Sequence, residues 1–131
     1  DREDAARRMI DLVADLAKVA RNRQPGFLIV GQNAEELLRK PKYLATIDAV
    51  AKEDLLYGSP VEGTANDAGR IKGSSDHLMV ARTANLPVFV VEYLDDAAAI
   101  ASAEAALKER GFIGYFGPRK LDRLVSPPIG P

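Results

Sequence analysis

The sequence predicts an α/β fold in which parallel strands alternate with helices. Two observations predict it. Short, mainly apolar stretches at residues 27–30, 47–51, 88–91 and 112–116 alternate with segments of helical periodicity. Strands that are apolar on both faces belong to parallel sheets covered by helices. Each of those stretches also runs into polar residues at its C-terminal end, where the chemistry of parallel α/β folds gathers.

The elements follow in order. Residues 2–21 form an amphipathic helix, with Ala6, Met9, Ile10, Val13, Leu16, Ala17 and Ala20 at helical spacing between charges. Pro25 and Gly26 break it. A first strand is expected over 27–30, a turn at 31–33 and a short helix over 35–39. A second strand centred on 47–51 ends in Lys52, Glu53 and Asp54. Residues 58–73 hold four glycines and a proline and are expected to form a long, mobile loop. A helix is predicted over 74–85, with Leu78, Met79 and Ala81 as its apolar contacts. The third strand, 88–91, is entered through Pro87 and ends in Glu92 and Tyr93. An alanine-rich helix over 96–110 stops at Gly111, in the position where glycine usually ends a helix. A fourth strand over 112–116 and a last helical turn over 119–124 complete the domain (residues 1–125). Residues 126–131 form a proline-rich tail.

Polar side chains gather at the strand ends: Gln32 and Asn33, Lys52 and Glu53, Glu92 and Tyr93, Tyr115 and Arg119. Alternation along the second strand puts Ala49, Ala51 and Glu53 on one face, leaving room for Glu53 to project into a cavity. Val88, Val90 and Glu92 share a face of the third strand by the same count. Two carboxylates near one centre would suit glycoside hydrolysis. Each residue also has a plainer reading. Asn33 with Glu36 fits a capping box, and Glu53 with Asp54 fits a cap on the turn 55–57. Glu92 can pair with Arg119 or Lys52, and Asp95 can cap the following helix. Tyr93 and Tyr115 can serve as rim packing, and His77 as a structural or surface residue.

Composition narrows the function classes. Eighteen basic and nineteen acidic residues give a net charge of -1, which argues against nucleic acid or an anionic membrane as partner. The chain has no cysteine, so disulfides and thiolate metal sites are excluded. The apolar run 86–91 is too short to span a bilayer. No Walker motif or metal-ligand spacing occurs, and neither metal nor cofactor is expected. The start at Asp1 without a signal peptide fits a mature, trimmed or excised piece.

A family resemblance takes the reading further. Residues 25–38 (PGFLIVGQNAEELL), 43–58 (YLATIDAVAKEDLLYG), 86–93 (LPVFVVEY) and 111–124 (GFIGYFGPRKLDRL) are similar, in order, to four signatures of glycoside hydrolase family 114, the endo-α-1,4-polygalactosaminidase type. Gly31 stands where the family has proline, Ala34 and Ala51 where it has glycine, and Glu92 where aspartate is common. The resemblance implies that these are strands five to eight, the C-terminal half of a (β/α)₈ TIM barrel. It implies an oligo- or polysaccharide substrate of α-linked amino sugars and a catalytic role for Glu53 as general acid and base. Gln32, Asn33, Glu92, Tyr93 and Tyr115 would then be the substrate-binding residues. The partnering aspartate, at the end of strand four, would lie in a missing N-terminal half-barrel. A homo-oligomer is the other way to complete such a half, and the resemblance leans towards a secreted or periplasmic site.

Overall fold

Asp1 caps the first helix, α1 (Arg2–Arg23), its carboxylate accepting the Asp4 N–H at 2.9 Å. In this computed structural model, residues 1–123 and 125 are described; Leu124 and the proline-rich tail lie outside them. Four strands follow: β1 (Val30–Gln32), β2 (Ala49–Glu53), β3 (Val88–Glu92) and β4 (Ile113–Phe116). Between them stand a 3₁₀ helix (Glu35–Arg39) and the helices α2 (Pro41–Thr46), α3 (Ala68–Thr83) and α4 (Ala97–Glu109). All pairings are parallel and the sheet order is β1-β2-β3-β4. The predicted α/β class with a parallel sheet and helices is therefore observed.

The order determines how the helices lie. Right-handed crossovers that always step to the next strand on the same side place every connection on one face of the sheet. Burial agrees. The register aligns Gly31, Val50 and Val88, then Lys52 and Val90, on the helix-covered face. Val50, Val88 and Val90 are buried there with Leu78, Ala81, Ala103 and Leu107 from α3 and α4. The opposite face carries Val30, Ala49, Ala51, Phe89, Val91, Ile113 and Tyr115. On it, Val30 is 51%, Phe89 39% and Ile113 53% exposed.

Local physics moved several element boundaries. The first helix continues to Arg23, and Gly26 (φ 83°) makes the turn behind it. The first ladder runs later than its apolar stretch, because Ile29 donates its N–H to the Asp48 carboxylate at 2.7 Å while accepting from the Asp48 N–H. Gly31 and Gln32 are thus in β1, not in a turn. Arg21 reaches the same carboxylate at 2.7 Å and the Thr46 carbonyl at 2.8 Å. These bonds tie the end of α1 to the start of β2. Helix α2 has no counterpart in the sequence reading; Pro41 at its start is pre-set for a helix, and it buries Tyr43. β2 is displaced to Ala49–Glu53 as a result.

Helix α3 begins at Ala68, six residues ahead of the expected start, with Asp67 as its cap. The expected mobile loop is shortened and pinned. Asn66, 7% exposed, donates to the Asp54 and Leu55 carbonyls at 2.9 Å each and accepts the Ser59 N–H at 2.8 Å. Met79 is exposed, unlike Leu78 and Ala81. Asp96, not Asp95, caps α4, taking the Ala99 N–H at 2.8 Å. Gly111 (φ 71°) ends it in a Schellman arrangement, with the Phe112 N–H on the Leu107 carbonyl and the Gly111 N–H on that of Lys108. No helical turn forms over 119–123; Leu121 takes a positive φ of 51° there.

Candidate functional site

Glu53 is the last residue of β2 and faces the open side of the sheet, beyond Ala49 and Ala51. Three neutral donors converge on its carboxylate. Gln32 Nε2 and Asn33 Nδ2 reach Oε2 at 2.9 and 2.7 Å, and the Tyr93 hydroxyl donates to Oε1. Asn33 also accepts the Glu53 N–H at 2.9 Å, so the two residues are bonded both ways. This is possible because Asn33 leaves β1 at φ 52°, a left-handed conformation that Asn tolerates better than most residues. The predicted capping box is therefore not formed: Asn33 serves Glu53, and the 3₁₀ helix has no side-chain cap. The hydrogen bonds from Tyr93, Asn33 and Gln32, in that order, hold Glu53 below the usual carboxylate range.

The ring of Tyr93 lies under Arg119, whose guanidinium carbon is 4.4 Å from the ring centroid. Arg119 is held from two sides, by Asp54 at 2.8 Å and Glu62 at 3.2 Å. It therefore ties the segment after β4 to the loop after β2. Beside it opens a cavity of about 670 Å³, lined in part by Tyr93, Leu94, Ile100, Phe116 and Arg119.

Glu92 does not join this cluster. Cα pairing sets Val91, not Glu92, beside Glu53, so the two carboxylates leave opposite faces of the sheet. Glu92 is 0% exposed and accepts the Leu56 and Tyr57 N–H groups at 2.7 and 3.2 Å. The expectation of two carboxylates at one centre thus fails for this pair, and Glu92 is walled off from any substrate on the open face. It pairs with neither Arg119 nor Lys52. Lys52 points to the helix side and binds Glu35 at 2.9 Å. Burial alone would raise Glu35, but its bonds with Lys52 and Ser74 hold it below its ordinary value. Tyr115 shares the face of Glu53 but stands two strands away, its hydroxyl 3.5 Å from the Val125 N–H. His77 contacts the Gly73 carbonyl of its own helix at 2.9 Å.

The sequence reading misses Asp54, Glu62 and Asn66 as parts of the site's frame. Asp54 and Arg119 are 65 residues apart, and no local pattern signals such a pair. Among the described residues, no group of three or more His, Cys, Asp or Glu side chains is placed to hold a metal ion, and no helix is long and apolar enough to cross a membrane.

No protein-family model matches the chain. An uncharacterized protein of Deinococcus radiodurans is 34% identical over 125 residues, which is 95% of this chain and 40% of that protein. An uncharacterized protein of Thermotoga maritima is 30% identical over 97 residues, 72% of this chain and 29% of that protein. The chain therefore spans well under half the length of these curated relatives.

Proposed function

We propose that the chain is the C-terminal half, strands five to eight, of a (β/α)₈ barrel glycoside hydrolase acting on an α-linked amino-sugar polysaccharide such as α-1,4-polygalactosamine. The observation that carries this reading is the convergence of Gln32, Asn33 and Tyr93 on Glu53 at the C-terminal ends of three adjacent parallel strands. That is where barrel enzymes place their catalytic groups. Strands in sequence order, helices on one face and apolar side chains on the other suit a sheet that closes into a barrel. The greater length of the relatives leaves room for the other half.

In this reading Glu53 serves as general acid towards the leaving oxygen and as general base towards water, while an aspartate from the N-terminal half is the nucleophile. The anionic Glu53 held by its three donors is the form the base step needs. The acid step needs the protonated form, and a second carboxylate nearby would raise Glu53 by like-charge repulsion. Glu53→Gln in the full-length protein should lower product release from α-1,4-linked galactosamine oligomers by about 10²- to 10⁴-fold. Full activity in that variant would refute the assignment.

A second reading, a sugar-binding or structural half-barrel without turnover, draws on the fact that Glu53 is the one carboxylate on which these donors converge. Binding of the oligomers without product release by the unaltered full-length protein would favour it.

A further inference from the structure

We propose that Tyr93 is a positioning residue for Glu53, holding its carboxylate in place and anionic, and that Arg119 locks Tyr93 from above. The inference rests on the reading of Glu53 as the functional carboxylate. It replaces the expected role of Tyr93 as a substrate-binding residue.

The donors divide the two oxygens of Glu53 unequally. Oε2 is held by two amides from β1 and the residue after it, whereas Oε1 is held by Tyr93. Without the phenol, the carboxylate would keep one anchored oxygen and could turn about it. Tyr93 is itself restrained. One face of its ring is covered by the Arg119 guanidinium, so that face is closed to a sugar. Arg119 in turn is fixed by Asp54 through both terminal nitrogens, at 2.8 and 3.3 Å, and by Glu62. The segments after β2, β3 and β4 thus form one chain of contacts that ends on Glu53 Oε1.

The electrostatics run the same way. The charged or titratable groups that bear on Glu53 are Tyr93 from the end of β3 and Arg119 from the segment after β4, with Asp54 beside them; β1 contributes the neutral Gln32 and Asn33. Lys52, the nearest lysine in sequence, is on the other face with Glu35. Burial and the Glu53 carboxylate push Tyr93 up to about 12. The phenol therefore stays protonated, and stays a donor, throughout the working pH range. A donor that stays protonated at neutral pH and an arginine nearby both favour the charged form of the acid.

The test is a titration of the Glu53 side-chain carboxyl carbon by NMR in wild-type chain, Tyr93→Phe and Arg119→Lys. Tyr93→Phe keeps the ring and removes the hydroxyl, and its Glu53 should titrate at a higher pH than in wild type. Arg119→Lys keeps the charge and loses the planar stack; it should shift Glu53 in the same direction by less. An unchanged or lowered titration in Tyr93→Phe would overturn the proposal. Should that variant give an undispersed spectrum, Arg119→Lys decides alone, an upward shift supporting the proposal and no shift overturning it. The readout needs no turnover, so it separates from the Glu53→Gln assay: full activity there defeats the catalytic assignment of Glu53 and leaves the titration standing.

Discussion

At the scale of single residues, Glu92 is the least expected group. A carboxylate with no solvent exposure is pushed up to about 7, first by burial and then by Asp54, against the pull of the Leu56 and Tyr57 N–H groups. In the fold it holds a proton that the unfolded chain releases near 4.5. Its contribution to stability is therefore full below pH 4.5 and is lost as pH rises through about 7. The loss is on the order of 3 kcal/mol, since each tenfold change in proton affinity is worth about 1.4 kcal/mol. Glu53 and Glu35, held below their ordinary values, act in the opposite sense and lose their contribution on acidification. Urea unfolding at pH 5 and pH 8 should show the wild type weakening over that interval and Glu92→Gln, an isostere of the protonated acid, remaining level. A wild-type midpoint that does not move would mean that Glu92 stays ionised in the fold. Glu53 was legible in the sequence because alternation along one strand suffices to put it beyond Ala49 and Ala51. The position of Glu92 was not, since alternation says nothing about the register between strands, and a shift of one residue reverses the face.

At the scale of elements, close approach explains both what the sequence conveyed and what it hid. The four apolar stretches and the helix-ending Gly111 announced the strands and α4, because burial on both faces and a positive φ each demand particular residue types. Helix α2 left a poor signal. Its six residues are too few to show a helical period, and Tyr43 with Ile47 reads equally well as the start of a strand. The same helix imposes a requirement on β1. A Cβ on Gly31 would collide with the Tyr43 hydroxyl and crowd the ring carbon behind it at 3.2 Å. Tyr43 is 3% exposed and packed in the core, so it has little room to withdraw. Gly31→Ala should therefore cost about 1–3 kcal/mol, the usual range for overpacking. A thermal melt checks the loss, and Gly31→Ala combined with Tyr43→Phe should recover part of it. A single variant as stable as wild type would mean that the β1–α2 contact yields easily.

At the scale of the whole molecule, the unmatched surfaces lie where a closed barrel would need them. Helix α1 buries Ile10 and Ala17, yet Met9, Leu12, Leu16 and Val19 form a second apolar stripe in solvent. On the sheet, Val30, Phe89 and Ile113 are exposed on the face that carries Glu53, and the outer edge of β1 has no partner strand among the described residues. Apolar surface of this extent on a small chain promotes association, and an unpaired edge offers hydrogen bonds to another strand. In the proposed barrel, a preceding strand would pair with β1, a preceding helix would pack on α1, and the sheet face would line the interior. On its own, the 131-residue chain is expected to cover the same surfaces with copies of itself. Light scattering over a concentration series should give a mass that rises above 14.2 kDa. Leu12→Lys with Leu16→Lys should lower that mass while preserving helical content, since both side chains are already in solvent. Phe89→Ser should act independently, because it lies on the sheet and not on α1. A monodisperse monomer at every concentration, unfolding in one cooperative transition, would show that these faces need no cover and would remove their support for the half-barrel.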